Sequence, residues 1–125
     1  MKLQPDKYDV PTINALGPGW VAVNGEKINT SVVISSRGQR LTWSCERYED
    51  LTPDHFAQLA DLSPELVIFG SGTRLRFPSA HWLAPLIERR IGLESMDTAA
   101  ACRTYNILAG EGRHVIAALL IEGAG

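Results

Sequence analysis

The sequence predicts an α/β fold in which an all-β beginning is followed by alternating strands and helices. β-prone segments separated by turn formers fill the first third of the chain, and apolar runs of strand length then alternate with segments of helical spacing. This alternation favours parallel neighbours joined by right-handed crossovers. The 125 residues fit one domain that can bury a core without metal or disulfide staples, so we expect a single domain over 1–125.

Composition and charge exclude two classes of partner. Hydrophobic residues make up 45% of the chain and charged residues 21%, close to the averages of soluble globular domains. The net charge is -2 and the pI about 5.9, whereas nucleic-acid binders usually carry a basic stripe and a high pI. We therefore expect no nucleic-acid partner. The longest apolar run, Val115–Ile121, is far shorter than the roughly 20 residues of a membrane-spanning helix, so no transmembrane segment is expected.

Cysteine usage and the first residues indicate the compartment. The chain holds only two cysteines, whereas a secreted domain of this size more often shows a framework of several. Residues 1–6 lack the apolar core of a signal peptide and the Arg-rich pattern of a transit peptide. A reducing compartment follows, and we expect a cytoplasmic protein.

Turn formers are frequent in residues 1–19, where we expect an extended N-terminal arm, and residues 122–125 are expected to form a flexible tail. Asn24-Gly25 is a pair that tolerates the positive φ angles of a type I′ hairpin turn. Together with its neighbours this hairpin predicts an antiparallel meander. The strand candidates of the meander are 20–23, 26–28, 31–35 and 39–43.

A short helix is predicted after the meander. Thr52 is a suitable N-cap, Pro53 suits the first helical position, and apolar residues recur at helical spacing as far as Leu62. The continuous apolar run at 66–69 is typical of a strand covered on both faces.

The segment after that strand alternates between charged and apolar residues. In a stretch of period two, Leu75 and Phe77 would turn inward, while Arg74 and Arg76 would point outward. Both arginines are therefore expected in solvent.

Two further helices are predicted in the last third of the chain. The first runs from Ser79 to Arg90, with an irregular turn over 79–84 because Pro85 kinks a helix, and with Gly92 in the left-handed position that ends many helices. After a strand at 93–96, the second helix begins at its N-cap and ends before Gly110. The boundaries of this helix are Thr98 and Ala109, its N-cap is Asp97, and the last strand spans 114–121.

Gly70-Ser71-Gly72 has the composition of an anion-binding loop, since glycines let backbone N–H groups approach an anion closely. A dinucleotide fingerprint would need glycine at Leu75, and a P-loop would need a Gly-Lys-Ser/Thr sequence that is missing. We interpret the loop as a tight structural turn. Capture of a small anion or ligand with Arg74 or Arg76 is the alternative.

Asp97-Thr98 is interpreted first as a capping pair, because the carboxylate can accept from the N–H groups of Ala99 or Ala100. A catalytic aspartate at this strand end is the alternative interpretation. It would need a base or nucleophile nearby, and Ser71 is the hydroxyl on the facing loop.

The remaining reactive residues are assigned structural roles. Cys102 falls on the buried face of the last helix and is expected to be inert, while Cys45 is expected to be a partly exposed thiol. Trp43 is expected in the core or its rim, with an exposed anchor for a partner as the alternative. The three histidines lie on separate elements without ligand spacing, so we expect no metal site and no cofactor.

Four segments resemble a family of small domains of unknown function, and they are Val67–Thr73, Gly92–Thr98, Ala101–Leu108 and Glu111–Arg113. This family includes the mitochondrial NADH dehydrogenase (complex I) alpha-subcomplex assembly factor three and an adipogenesis-associated vertebrate protein. The resemblance implies a three-layer α/β fold with a mixed central sheet, one antiparallel strand, helices packed on the sheet and a smaller layer from the N-terminal β meander. It implies no catalytic residues, and Ser71 stands where many relatives have Thr.

Two functional hypotheses follow from the predicted edge where the loops after Phe69 and Met96 lie side by side. The first is a non-catalytic assembly factor or adaptor that binds a protein partner at this rim, by resemblance linked to respiratory complex I or membrane-protein biogenesis. The second is a small-ligand or anion-binding protein or an enzyme at the same rim. The sequence shows no paired acid and base, which favours the first. The candidate binding residues are Gly70, Ser71, Gly72, Thr73, Arg74, Arg76, Asp97, Thr98 and Arg103.

Overall fold

The computed structural model describes residues 10–122, and within them eight strands form two sheets. The strands are β1 (Ile13–Gly17), β2 (Trp20–Val23), β3 (Glu26–Ile28), β4 (Val32–Ser35), β5 (Arg40–Thr42), β6 (Leu66–Gly70), β7 (Gly92–Met96) and β8 (Val115–Leu119). The helices are α1 (Pro53–Ala60), α2 (Ala84–Glu88) and α3 (Thr98–Gly110), with short 3-10 turns at Tyr48–Asp50 and Ala80–Leu83. Residues 1–9 of the arm predicted at 1–19 and residues 123–125 of the tail predicted at 122–125 lie outside the described residues.

The larger sheet has the strand order β5-β4-β8-β6-β7. Strands β8, β6 and β7 are parallel neighbours, and β4 pairs antiparallel with both β8 and β5. Strand β4 therefore runs against the other four, which confirms the predicted mixed sheet with one antiparallel strand. All five residues of β8 are buried, because this apolar run lies at the centre of the sheet with both faces covered.

The smaller sheet is antiparallel and has the order β1-β2-β3. Its hairpin turn has positive φ at Asn24 (51°) and Gly25 (87°), as the sequence predicts for this pair. The predicted meander is divided between two sheets, since the hairpin of β4 and β5 joins the larger one. Every residue of β4 is buried, so this strand needs cover on both faces, which the central position next to β8 provides.

The molecule has three layers. One face of the larger sheet packs against α3 and the smaller sheet, in a core of mostly aliphatic residues around Ile34, Ile68 and Tyr105. The other face packs against α1 and α2 around the aromatic residues Trp43 and Phe56. The predicted three-layer architecture is confirmed.

The helix before β7 differs from its prediction at both ends. Ser79 makes no side-chain capping bond, and Pro85 stands in the first turn of α2, where its missing N–H is tolerated. The left-handed residue is Arg90 (φ 58°), and not Gly92, which begins β7. At Arg90 the chain reverses so that the N–H of Ile91 donates to the carbonyl of Leu86 at 3.0 Å, a bond that ends the helix two residues earlier than expected.

Two core residues test the sequence analysis. Cys45 is 4% exposed, so it is not the partly exposed thiol that the sequence predicts. Trp43 is 2% exposed, which confirms its expected place in the core and excludes the alternative of an exposed anchor. The Trp43 ring lies edge-on to Phe56 and to Phe69, with centroids 5.9 and 6.1 Å apart. Strand β5 ends just before Trp43, and the turn there directs the ring under the sheet rather than outward.

Candidate functional site

The loops after β6 and β7 lie side by side at the carboxyl edge of the parallel strands. The N–H of Ser71 donates to the Met96 carbonyl and the N–H of Thr98 donates to the Gly72 carbonyl, each at 2.8 Å. The Gly72 N–H in turn donates to the Thr98 hydroxyl oxygen at 2.9 Å. These three bonds extend the β6–β7 pairing beyond the strands and fix the two loops as one unit.

Thr98 links this unit to the end of the central strand, because its hydroxyl donates to the Leu120 carbonyl at 3.0 Å. The approach is close enough to require glycine at position 70. A Cβ there would lie 2.9 Å from a methyl carbon of Leu119 and 3.1 Å from the backbone of Thr98. The glycine of this loop is thus explained by packing, in line with the structural interpretation of the turn.

Ser71 is fully buried and its hydroxyl is used inside the loop. The oxygen accepts from the N–H of Arg76 at 2.9 Å and lies 2.8 Å from the Arg74 carbonyl and 3.0 Å from the Met96 carbonyl. A hydroxyl carries one proton and two lone pairs, so these neighbours satisfy it. The Ser71 hydroxyl therefore closes the loop and does not face a substrate.

Arg76 points inward, contrary to the alternation expected for this segment. Its guanidinium donates to the Ser71 carbonyl at 2.6 Å and to a carboxylate oxygen of Glu122 at 2.8 Å, and it lies 4.9 Å from the ring centroid of Tyr48. Loop closure by Ser71 turns the guanidinium toward these acceptors, since no neighbouring strand imposes period two on residues 73–77.

Leu75 and Phe77 are accordingly outside, again the reverse of the prediction. Leu75 is 50% exposed and Phe77 66% exposed. The hydroxyl of Tyr48 donates to the Phe77 carbonyl, which holds the backbone of the loop while the phenyl ring stays in solvent. Two large apolar side chains thus project from the loop beside the rim.

A cleft of about 420 Å³ opens between the two loops and the turn that joins β1 to β2. Trp20 lies against Gly17, where a Cβ would be 2.5 Å from the indole nitrogen, and Lys27 Nζ stands 4.6 Å from the Trp20 ring centroid. The wall is mostly apolar. The lining residues are Leu16, Gly17, Pro18, Gly19, Trp20, Val21, Gly72, Thr73, Asp97, Thr98, Ala99, Leu120, Ile121 and Glu122.

The predicted site residues divide into three groups. Gly72, Thr73, Asp97 and Thr98 line the cleft, and the Asp97 carboxylate accepts from the Ala100 N–H at 2.9 Å as the expected helix cap. The loop interior holds Gly70, Ser71 and Arg76. Arg74 and Arg103 are exposed outside the cleft lining.

Sequence reasoning missed the wall contributed by the smaller sheet. The sequence predicts an arm as far as residue 19 and a strand from residue 20. The pattern of these residues does not indicate which part of the molecule they face. The residues that place them are on α3. The side-chain amide of Asn106 accepts from the Ile13 N–H at 2.9 Å and donates to the Ile13 carbonyl at 2.8 Å, and the Tyr105 hydroxyl donates to the Pro11 carbonyl at 2.8 Å.

Tyr105 and Asn106, which belong to the segment Ala101–Leu108 of the family resemblance, thus form a clamp for β1. Burial raises the pKa of the Tyr105 hydroxyl well above its ordinary value, so it is protonated near neutral pH and can donate to the Pro11 carbonyl. The clamp fixes one end of β1 against the middle of α3, and the cleft opens beside the amino-terminal turn of the same helix.

Cys102 is 2% exposed and does not line the cleft. Burial raises the pKa of its thiol to about 11, so it is a thiol and not a nucleophilic thiolate near neutral pH. No three His, Cys, Asp or Glu side chains of residues 10–122 come together as metal ligands. None of the helices in this range has the length and apolar character required to cross a bilayer.

The layered fold is that of the Mth938-like domains. A Bordetella pertussis protein described by that term is 31% identical with a TM-score of 0.84, and the match covers 98% of this chain and 94% of that one. A Bordetella parapertussis protein is 36% identical with a TM-score of 0.85, over 90% of this chain and 97% of that one. The chain belongs to the family described as "Protein of unknown function (DUF498/DUF598)", which matches residues 13–120.

Curated relatives in this family carry functional names. The Bos taurus protein "NADH dehydrogenase [ubiquinone] 1 alpha subcomplex assembly factor 3" is 38% identical over 80 residues, which are 62% of this chain and 44% of that protein. The Xenopus tropicalis protein of the same name is 26% identical over 95% of this chain and 66% of its own length. The aligned part thus spans less than half of the bovine relative.

Proposed function

We propose that this protein is a non-catalytic assembly factor or adaptor that binds another protein at the cleft and its rim, Gly70–Arg76 and Asp97–Arg103. The observation that carries the proposal is the mostly apolar cleft of about 420 Å³ between two loops that are bonded to each other. The Ser71 and Thr98 hydroxyls and the Asp97 carboxylate of those loops are bonded to neighbouring backbone groups. What the cleft offers a partner is therefore apolar contact area on a preformed surface.

The rim supplies the side chains that anchor protein interfaces. Phe77 and Leu75 project from the loop after β6, and Leu16 at the cleft wall is 40% exposed. Large apolar residues of this kind are costly to leave in water and dominate binding energy when a partner covers them. Together they support a protein partner for this edge of the molecule.

The geometry of the polar residues supports binding rather than catalysis. General acid-base chemistry needs groups within hydrogen-bond reach of each other and of a substrate. Here Asp97 is bonded to the helix backbone, Ser71 is closed inside its loop, and Cys102 lies outside the cleft lining.

A link to respiratory complex I assembly rests on the names of the relatives. The similarity to the bovine protein covers 62% of this chain and 44% of the length of the bovine protein. We extend the assembly role to this protein by that similarity, and we propose a cytoplasmic location because its two cysteines favour a reducing compartment.

Two matched leucine variants test the proposed surface. Leu16→Glu places a charge at the cleft wall, and Leu41→Glu places the same charge on β5, where Leu41 is 37% exposed. Wild-type protein and both variants are used to capture partners from an extract of the native cells, and each captured protein is then purified and titrated by calorimetry. We expect a partner that binds wild type and Leu41→Glu alike, and Leu16→Glu at least about tenfold more weakly.

If Leu16→Glu and Leu41→Glu bind every captured protein with equal affinity, the cleft is not the surface that binds the partner. The exposed apolar residues next to the rim are tested in the same way with Phe77→Glu. Arg76→Glu is unsuitable for this purpose, because it breaks the bonds to Ser71 and Glu122 and tests folding instead.

A small apolar ligand is the second candidate occupant, since the cleft volume falls within the roughly 300–1,000 Å³ of ligand pockets. An anion fits less well, because Arg76 is paired with Glu122 at 2.8 Å and lies 3.8 Å from Glu49. Native mass spectrometry of purified protein decides between these occupants: a bound small molecule that Leu16→Glu loses would favour the ligand.

A further inference from the structure

We propose that the outer edge of β7 is a second binding surface, separate from the cleft, to which an extended segment of another protein adds as a strand with Lys or Arg opposite Glu94. Among the strands of residues 10–122, β7 is the last one of the larger sheet and pairs with β6 alone. The pairing runs without a bulge from Gly92 to Met96. A regular, unpaired edge of this kind is a template for strand addition.

The hydrogen bonds of β7 show which backbone groups are available. The N–H of Gly92 donates to Glu65 and the carbonyl of Met96 accepts from Ser71, so these residues direct their backbone groups toward β6. Backbone groups alternate sides along a strand. The N–H and C=O groups of Leu93 and Ser95 therefore point away from β6, on the side where no other strand of the described residues pairs with β7.

Two other sheet edges are blocked. Strand β5 has three residues, and its Arg40 is paired at 3.0 Å with Glu26 of the smaller sheet. On β1 the amide of Asn106 occupies both backbone groups of Ile13, in the place where a neighbouring strand would bond. On β7 the exposed charge of Glu94 is the protecting feature, and within the part of the chain that the structure describes no side chain is bonded to the outward backbone groups of this strand.

The negative charge of Glu94 disfavours a second copy of this chain as the partner at this edge. An antiparallel pair that uses all four outward groups sets Leu93 opposite the Ser95 of its copy, and so sets Glu94 opposite Glu94. Residues in that position are close neighbours, and like charges there are unfavourable. The same position favours a basic residue, which defines the partner as an extended segment with Lys or Arg at its centre.

A variant of the chain itself provides a probe with this chemistry. Isotope-labelled wild-type protein is mixed with unlabelled Glu94→Lys, and amide exchange is followed by NMR. We expect exchange at Leu93 and Ser95 to slow by about fivefold or more in the mixture relative to wild type alone at the same total concentration. Glu94→Arg is used in place of Glu94→Lys if the lysine variant does not give the spectrum of a folded protein.

The double variant Glu94→Lys, Ser95→Pro is the matched control, because proline removes an outward N–H while the bonds toward β6 remain. It should not slow exchange at Leu93 and Ser95. Unchanged exchange in the first mixture, equal slowing by the control, or equal slowing in concentrated wild type would overturn the proposal. Labelled Leu16→Glu should respond as wild type does, so a failure of the cleft and a failure of this edge are distinguishable.

Discussion

The two faces of the larger sheet are covered in different ways. On the α1–α2 face, Trp43, Phe56 and Phe69 form an interlocked aromatic cluster with centroids about 6 Å apart, and Trp82 stacks on Phe56 at 6.3 Å. On the other face, α3 and the smaller sheet share the cover, and hydrogen bonds from Tyr105 and Asn106 hold β1 in place.

This difference explains where the cleft lies. Large rings fill the space under two short helices, so the aromatic face is closed. On the other face the helix α3 lies beside the smaller sheet, and the bonds that join them run from the middle of α3 to Pro11 and Ile13, about two turns from the amino terminus of the helix. The surface opens beyond those bonds, between Leu16 and Thr98. The aromatic face contributes the interlocked ring packing, and the surface that we propose for binding lies on the face that α3 and the smaller sheet cover together.

The largest expected effect is on the aromatic face. Phe56→Ala removes a fully buried ring that contacts three other aromatic residues, and we expect the free energy of unfolding to fall by about 3–5 kcal/mol. Urea denaturation measures the change. A loss below about 1 kcal/mol would mean that this face does not carry the fold as its packing indicates.

A smaller effect is expected where the loops of the cleft meet the central strand. Gly70→Ala places a methyl group 2.9 Å from Leu119 and 3.1 Å from the Thr98 backbone, and the shift it forces should cost about 2–3 kcal/mol. Denaturation measures the cost. The matched control is Gly110→Ala, since a Cβ at Gly110 meets no atom within 4 Å. Equal tolerance of both alanines would contradict the close approach of the two loops.

The clamp on β1 should contribute less than either of these. Asn106→Ala removes two bonds to Ile13, and we expect a loss of about 1–2 kcal/mol together with faster exchange of the Ile13 amide. Ile107→Ala changes the adjacent residue, which is 62% exposed, and should alter stability by less than about 0.5 kcal/mol. An unchanged Ile13 amide in Asn106→Ala would show that the smaller sheet is held by its apolar contacts alone.

The sequence predicts the elements of both faces better than it predicts the loops between them. The N-caps Thr52 and Asp97 and the apolar run of β8 carry local signals, and the helices and the strand form where those signals stand. The alternation after β6 carries the same kind of signal but has no neighbouring strand to enforce it. There the hydroxyl of Ser71 and the carboxylate of Glu122 decide that Arg76 turns inward.

One wall of the cleft is predictable from the sequence, and the opposite wall is not. Chain order and the rule for parallel strands bring Gly72 and Thr98 together, and the structure places them 2.9 Å apart through the N–H and the hydroxyl oxygen. The opposite wall comes from Leu16 and Trp20, whose position depends on the contact of α3 with residues about ninety positions away in sequence. Such long-range packing leaves no pattern in a single sequence.

The smallest effect on stability is expected at the amino ends of the parallel strands, where β6 and β8 begin. The N–H of His114 donates to Glu65 Oε2 at 3.3 Å, and the guanidinium of Arg113 donates to the other oxygen of Glu65 at 3.3 Å. These two bonds lower the pKa of Glu65 below its ordinary value of 4.5. Burial of the ring, with a smaller contribution from Arg37, lowers the pKa of His114 below 6.5.

The two groups should affect stability in separate pH ranges. Below 6.5 the unfolded chain binds a proton on His114 before the folded protein does, so stability falls as the pH drops through this range toward the lowered pKa of His114. Glu65 contributes stability above 4.5 that is lost at lower pH for the same reason. Urea denaturation as a function of pH measures both. His114→Gln should remove the upper decline and Glu65→Gln the lower one, whereas an upper decline that survives in His114→Gln would assign it to another group.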